Sequence, residues 1–294
     1  MLKEKQQDER EFEFNANDFS RVRKLIYQHA GISLSEAKTD MVYSRIGRRL
    51  RVAGFDSFKK YLDFLENQQD AAEWEAFVNA LTTNLTSFFR EEHHFPILAE
   101  HLLKLQKPIR IWCSAASTGE EPYSIAMTAC EAFNTLNPPV EIIATDIDTN
   151  VLATAAKGVY PIDRLSKLSL ERKRKFFLKG KGADEGIVKV RKELQSLIRF
   201  QQLNLLDDNY GFKDQFDVIF CRNVMIYFDK PTQTRILEKF VPLMKSHAYL
   251  FAGHSENFTY VSNALRLKGK TVYELAQSAQ QKPTYLRSAG VAHA

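Results

Sequence analysis

The stretch IRIWCSAASTGEEPYS (residues 109–124) decides the fold of this chain. It begins with a mostly apolar run, continues with small residues, and leads into a helical pattern. This succession is typical of the first strand, turn and helix of a doubly wound parallel sheet. Gly119 permits a left-handed turn. The dinucleotide pattern G-x-G-x-x-G and the phosphate-loop pattern G-x-x-x-x-G-K-[ST] are both missing from the sequence.

Similar apolar runs follow along the chain, and helical patterns separate most of them. This alternation predicts an α/β fold with a doubly wound, Rossmann-like sheet. The runs are VEIIATD (140–146), LIRFQQLN (197–204), FDVIFCR (216–222) and AYLFAG (248–253), with helical patterns at 121–133, 149–157 and 231–244 and a hairpin at 265–275.

The rest of the chain divides around this sheet, which we place in a domain over residues 87–276. Residues 15–86 repeat apolar side chains every three or four positions, which predicts a small all-helical N-terminal domain. An inserted small antiparallel β subdomain is expected at about 170–200, where IVKVRKEL alternates apolar and polar residues. We expect the polar ends, 1–14 and 277–294, to be flexible.

The net charge of +5 over 294 residues is unevenly distributed. Residues 1–90 are neutral, 91–156 carry three basic and nine acidic side chains, and 157–200 carry thirteen basic and five acidic ones. Such asymmetry predicts an acidic partner for the basic surfaces.

Three widely spaced cysteines indicate no disulfide framework. No apolar run reaches signal-peptide or membrane-span length. We therefore expect a cytoplasmic protein without membrane insertion.

Side chains at the ends of the predicted strands indicate the ligand. An acidic residue such as Asp146 commonly binds ribose hydroxyls at this position, and Asn204 with Leu205 could hold an adenine ring. Glu120 or Glu121 would repel a pyrophosphate and favour an ammonium group. Together these residues fit S-adenosylmethionine better than NAD or ATP. Each one alone also fits a structural role, such as a helix cap or a turn.

Several long motifs resemble those of the CheR family of chemotaxis receptor methyltransferases. They are LTTNLTSFFREEHHFP (81–96), ASTGEEPYS (116–124), ATDID (144–148), FCRNVMIYF (220–228) and LFAGHSEN (250–257). The resemblance covers residues 17–275 and implies methyl transfer from S-adenosylmethionine to glutamate side chains on cytoplasmic helices of methyl-accepting chemotaxis receptors.

The resemblance also implies roles for individual residues. The cofactor contacts implied are Asn84, Thr86, Arg90, Glu121, Asp146, Asn204, Leu205, Arg222 and Asn223. Independently of the resemblance, Arg90 and Tyr227 can orient a substrate carboxylate by hydrogen bonding, and we assign them this catalytic role as a hypothesis.

Substrate contacts are expected on the basic surfaces. The resemblance favours docking of the receptor on a helix over 38–53 through Arg45, Arg48, Arg49 and Arg51, although these arginines also fit a merely solvated face. In some family members the inserted subdomain binds a peptide at the receptor C-terminus by strand addition. The sequence leaves open whether this chain does so, since its charge also fits a soluble hairpin.

Two other functions compete with this interpretation. A nucleic-acid methyltransferase would use the basic surface for phosphates, but the Asn-Pro-Pro-aromatic loop of base-amino enzymes is replaced by Asn223-Val224-Met225-Ile226-Tyr227. We therefore expect no nucleic-acid partner. A non-enzymatic adaptor would bind S-adenosylmethionine without turnover. No metal site is expected, because the adjacent His93 and His94 should point in different directions on a helix.

Overall fold

The N-terminal part of the chain is all-helical. The structure is a computed structural model that describes residues 10–68, 70–259 and 261–277. Asn15 caps the first helix with its side chain, and Gly31 and Gly54 end the first two helices in the left-handed conformation. The helices of this part are α1 (Ala16–Ala30), α2 (Thr39–Ala53), α3 (Phe58–Asn67) and α4 (Ala71–Leu81).

The predicted apolar faces of these helices meet in one core, in which Val22, Ile46 and other regularly spaced residues are fully buried. Phe12 and Phe14 join this core, because the alternation in EFEF places both rings on the same side. The prediction of a flexible tail over 1–14 is therefore wrong for residues 10–14. The other predicted tail segments, residues 1–9 and 278–294, lie outside the described part of the chain.

The remaining elements alternate strands and helices as predicted. The strands are β1 (Ile109–Cys113), β2 (Val140–Asp146), β3 (Val159–Pro161), β4 (Phe177–Lys179), β5 (Ile187–Val190), β6 (Ile198–Gln202), β7 (Phe216–Cys221), β8 (Met244–Ala252), β9 (Leu265–Gly269) and β10 (Val272–Leu275). The helices are α5 (His94–Lys104), α6 (Glu120–Ala132), α7 (Thr149–Lys157), α8 (Leu170–Phe176), α9 (Lys192–Gln195) and α10 (Lys230–Phe240).

Seven of these strands form the main sheet, in the order β6-β2-β1-β7-β8-β10-β9. The first five strands of this order (β6, β2, β1, β7 and β8) are parallel to one another. The last two, β10 and β9, form an antiparallel hairpin at the edge of the sheet. This order is that of a doubly wound, Rossmann-like sheet with its switch point beside β1. The predicted fold class is confirmed.

Both faces of the sheet are covered at its centre, so the central strands β2, β1 and β7 are almost entirely buried. Successive residues of β1 enter different cores: Ile111 and Cys113 pack with α5 and α6, whereas Trp112 packs with Phe240 of α10. The predicted helix over 231–244 ends at Phe240, because a 3₁₀ turn with Pro242 follows and β8 starts at Met244.

A small antiparallel sheet, in the order β3-β5-β4, is inserted between α7 and β6. It begins at Val159, upstream of the predicted 170–200, because β3 is only three residues long and follows α7 directly. Such a short strand leaves no periodic pattern in the sequence. No helix in the described part of the chain has the length and apolarity needed to cross a membrane.

Candidate active site

A cavity of about 730 Å³ opens at the carboxyl ends of the central parallel strands. The helical domain and the connecting segment (residues 82–93) close its other side. Ligands of doubly wound sheets bind in this crevice. Every residue that the resemblance implied for the cofactor lines the cavity, as do Tyr227 and Arg45. Arg48, Arg49 and Arg51 do not line it.

Asp146 ends β2 inside the cavity, in a turn held by backbone hydrogen bonds. Its Oδ2 accepts from the Ser117 N–H (2.8 Å), and its Oδ1 accepts from the Asp148 N–H (3.1 Å). The backbone hydrogen bonds lower the pKa of Asp146 and burial raises it. The effect of burial is larger, so the pKa lies above its usual value. Each carboxylate oxygen keeps a second lone pair, so Asp146 can still accept from two hydroxyls of a ligand.

The turn from β1 into α6 has two positions with left-handed backbone. Ser117 has φ 48°, and Gly119 has φ 100°. A Cβ at Gly119 would lie 2.7 Å from the Tyr160 hydroxyl and 2.8 Å from the Ala155 Cβ. Glycine is therefore required here by the packing against α7 and β3, in addition to the conformation.

A buried ion cluster lies on the opposite side of the cavity. Arg222, directly after β7, donates from Nη1 to Glu121 Oε2 (2.5 Å), and its Nη2 lies 3.3 Å from Glu91 Oε2. One guanidinium thus faces two carboxylates, which leaves one negative charge in excess. Burial raises the pKa of Glu121 despite Arg222. A cationic ligand group would stabilise this cluster.

Glu91 was missed by the sequence interpretation, although it lies within a quoted motif. Besides Arg222 it accepts from Asn223 Nδ2 (3.2 Å) and from the His254 N–H (3.1 Å). Burial raises its pKa, but the bonds from His254 and the charge of Arg222 outweigh burial and bring the pKa to about 2. Glu91 therefore joins three segments around the cavity while remaining charged.

Glu256 was also missed, and it shapes the loop after β7. Its carboxylate accepts from four backbone N–H groups, those of Gly253, Asn223, Val224 and Met225, at 2.6–3.0 Å. A Cβ at Gly253 would come within 2.5 Å of Asn223 Nδ2. The motif LFAGHSEN therefore holds the backbone of the loop that carries Tyr227. These contacts join segments about 30 residues apart, so a local sequence pattern cannot predict them.

The two acidic residues at the start of α6 have different surroundings. Glu121 lines the cavity, whereas Glu120 is fully buried, accepts from the Thr118 hydroxyl (2.6 Å) and lies 3.6 Å from Arg164. Of the two carboxylates that the sequence left open, the structure thus places Glu121 at the cavity.

Asn204 lines the cavity, but its side chain is used within the protein. The amide donates to the His29 carbonyl (2.8 Å), and its oxygen accepts from the Leu206 N–H (3.0 Å). These are the contacts of the turn residue that the sequence also allowed. The neighbouring Leu205 is buried and gives the cavity an apolar wall.

The catalytic candidates lie at the cavity with donors that can reach a substrate. Arg90 Nη1 donates to the Leu85 carbonyl (2.9 Å), which holds the guanidinium near the connecting segment. The Tyr227 hydroxyl makes no hydrogen bond within the described residues, while the Tyr227 carbonyl accepts from the Ser33 N–H (2.8 Å). The backbone of Tyr227 is thus held and its phenol remains available.

The four arginines of α2 do not share the single solvated face that the sequence suggested. Arg45 donates to the last carbonyls of α4, and Arg49 forms a buried pair with Glu73. Arg51 pairs with a carboxylate just before α1. Of these four arginines, only Arg48 is both exposed and without an ion pair among the described residues.

His93 and His94 lie close together, contrary to the sequence expectation. Their ring centroids are 4.3 Å apart, because His93 precedes the first residue of α5. With Glu91 they place three potential metal ligands within 4.8 Å of one another. His94 Nε2 already lies 2.7 Å from the Lys270 carbonyl. Burial and Arg222 lower the pKa of His94 to about 4, so it is neutral at pH 7.

Two family profiles match the chain: "CheR methyltransferase, SAM binding domain" over residues 84–273 and "CheR methyltransferase, all-alpha domain" over 17–82. The chain belongs to the CheR methyltransferase family. It is 51% identical to chemotaxis protein methyltransferase 2 of Pseudomonas aeruginosa over 269 residues, which are 90% of this chain and 95% of that one. It is 52% identical to the Salmonella typhimurium chemotaxis protein methyltransferase over 259 residues, which are 88% and 90% of the two chains.

This CheR-family chain is thus an S-adenosylmethionine-dependent methyltransferase of chemotaxis. The cavity fits that cofactor chemically. The excess negative charge near Glu121 suits a ligand with an ammonium and a sulfonium group, and Asp146 can accept from ribose hydroxyls. Arg222 also lines the cavity, so its positive charge can attract a ligand carboxylate.

Proposed function

We propose that the chain methylates the γ-carboxylate of glutamates on the cytoplasmic helices of methyl-accepting chemotaxis receptors. The products would be glutamyl methyl esters and S-adenosylhomocysteine. The observation that carries this proposal is the charge arrangement of the cavity. Its lining includes the carboxylates of Glu121 and Asp146, which suit a cationic cofactor, and the cations of Lys38, Arg45 and Arg90, which suit an anionic substrate.

The reaction needs little acid–base chemistry from the protein. A glutamate has a pKa of about 4.3, so its carboxylate is already the nucleophile at neutral pH. When bound, S-adenosylmethionine supplies an electrophilic methyl group on a sulfonium that leaves as a neutral thioether. The glutamate oxygen–methyl bond forms as the methyl–sulfur bond breaks. The protein must therefore position the carboxylate in line and exclude water.

We assign this positioning to Arg90 and Tyr227. Both line the cavity, and the Tyr227 phenol has no partner among the described residues. A phenol and a guanidinium can each donate to a carboxylate oxygen without taking its charge away. Asn84, Thr86, Glu121, Asp146, Asn204, Leu205, Arg222 and Asn223 are proposed to hold the cofactor.

Receptor docking is proposed along α2. Lys38, Met41 and Arg45 line the cavity, and the exposed Arg48 follows three positions later on the same side of the helix. This stripe leads from the cavity along the helical domain. Cations in such a stripe suit an acidic receptor helix and would accelerate encounter at low salt. Arg49 and Arg51 are already paired and contribute less.

A second receptor contact is proposed at the small sheet. Its outer strands, β3 and β4, are open to strand addition, and the segment around them is strongly basic. Binding of a receptor C-terminal peptide there would raise the local receptor concentration. Deletion of that peptide would then raise the KM for receptor and leave kcat unchanged. An unchanged KM would refute this contact.

The proposed function is tested by methyl transfer from labelled S-adenosylmethionine to three acceptors: a receptor cytoplasmic fragment, RNA and duplex DNA. We expect alkali-labile label on the receptor fragment, with release of S-adenosylhomocysteine. Alkali-stable label on nucleic acid would instead show a nucleic-acid methyltransferase. Cofactor binding without product release in the presence of the fragment would show an adaptor.

A further inference from the structure

Two exposed apolar side chains line the cavity. Leu85 is 76% exposed and Ile226 is 51% exposed. Of the large hydrophobic residues that are exposed in the described part of the chain, these two alone line the cavity. Single exposed apolar residues are common on protein surfaces, but both of these line the cavity to which we assign the chemistry, where a substrate can cover them.

The backbone under both side chains is held in place. Asn84, which precedes Leu85, donates to Asp148 Oδ2 (2.8 Å). Ile226 lies in a 3₁₀ turn whose first residue, Met225, donates its N–H to Glu256 Oε1 (2.8 Å). The two side chains are therefore presented to solvent by anchored segments.

Both residues adjoin the groups that we assign to the substrate carboxylate. The Leu85 carbonyl accepts from Arg90 Nη1 (2.9 Å), and Ile226 directly precedes Tyr227. A glutamate held by Arg90 and Tyr227 would therefore place neighbouring residues of its chain near Leu85 and Ile226.

The geometry of a helical substrate defines these neighbours. Two methylene groups separate a glutamate backbone from its carboxylate, so the substrate helix must lie against the cavity rim. Side chains three and four positions before and after the glutamate share its face of the helix. These side chains meet the rim while the carboxylate enters the cavity.

We propose that Leu85 and Ile226 form an apolar clamp that selects glutamates flanked, one helical turn away, by apolar side chains. The occupant is an amphipathic acidic helix: its anionic residues meet Lys38 and Arg45, and its apolar residues meet the clamp. This inference rests on the proposed function and specifies which glutamates the enzyme methylates.

The first test replaces each clamp residue by serine. Leu85→Ser and Ile226→Ser should each raise the KM for a helical receptor fragment about fivefold, because each loses part of an apolar contact. Leu103→Ser is the control: Leu103 is 58% exposed on α5 and lies away from the cavity. The Kd for S-adenosylmethionine should stay unchanged in all three variants. An unchanged receptor KM, or a parallel loss of cofactor affinity, would overturn the clamp.

The second test varies the substrate. In receptor fragments, the apolar residue three or four positions from a methylated glutamate is replaced by serine. With the unmodified enzyme, the serine-substituted fragment should have a kcat/KM about fivefold lower than that of the original fragment. With the double variant Leu85→Ser/Ile226→Ser, the two fragments should have the same kcat/KM. Equal losses in both enzymes would refute the clamp alone. Absence of any alkali-labile label with the unmodified enzyme would refute the proposed function together with it.

Discussion

Two arginine–glutamate pairs with buried carboxylates serve different purposes in this molecule. The Glu73 and Glu121 side chains are each 10% exposed, whereas the Arg49 side chain is 24% exposed and that of Arg222 is 1% exposed. Arg49 binds both oxygens of Glu73, and the Tyr61 hydroxyl adds a third bond (2.7 Å). Arg222 instead faces two carboxylates, and its Nε–H is left without a partner in the described structure.

The difference teaches how to separate a structural pair from a binding pair. The Arg49–Glu73 pair joins α2 to α4 and uses its donors within the helical domain. The Arg222–Glu121 pair lines a cavity, and Arg222 also faces a second carboxylate, that of Glu91. A desolvated charged pair at a cavity is typical of a ligand site.

The largest expected effect distinguishes the two pairs through ligand binding. Arg222→Met and Arg49→Met each break a buried pair and should each cost about 3–5 kcal/mol of stability. Only Arg222→Met should weaken S-adenosylmethionine binding, by at least about 100-fold, because it removes a charged cavity contact. Calorimetric titration, with circular dichroism to confirm folding, measures both. Equal affinity losses would abolish the distinction.

A smaller effect is expected within the cavity, at Tyr227. Tyr227→Phe removes the free phenol and should lower kcat about tenfold, since a hydrogen bond to a charged carboxylate is lost. Cofactor affinity should change much less. Single-turnover methyl transfer and cofactor titration separate the two quantities. Unchanged turnover with weaker cofactor binding would assign Tyr227 to the cofactor instead.

At Arg48 the effect should be smaller again and dependent on salt. Arg48→Glu should raise the receptor KM about threefold to tenfold at low ionic strength, and the difference should shrink as salt screens the charge. Lys59→Glu on α3 is the control, because Lys59 is exposed, has no ion pair among the described residues and does not line the cavity. A KM that is unaffected, or affected equally by both changes, would show that Arg48 is merely solvated.

A change of pH near neutrality is expected to have the smallest effect on kcat. Because the substrate carboxylate has a pKa of about 4.3, kcat should be flat from about pH 6 to 9 and fall only as the carboxylate protonates near pH 5 and below. Glu91, with a pKa of about 2, and His94, with a pKa of about 4, keep their neutral-pH charge states throughout this range. A kcat that rises with pH through pH 7 would instead indicate a general base.

The sequence predicted the regular elements well because apolar periodicity records which face of each element is buried. The candidate cofactor residues followed from the ends of the predicted strands and from long motifs, and each of them lines the cavity. The partners of Arg49 and Asn204 and the bonds of Glu256 were not predictable. Those contacts join segments far apart in the chain, and a local pattern carries no information about them.

Residue mapping tests whether this cavity transfers methyl groups to glutamate. A receptor cytoplasmic fragment is incubated with methyl-labelled S-adenosylmethionine and either the unmodified enzyme or Arg222→Met, then digested and analysed by mass spectrometry. We predict label on glutamate side chains that alkali removes and that Arg222→Met fails to produce. Label on other residues, or equal labelling by Arg222→Met, would contradict the account.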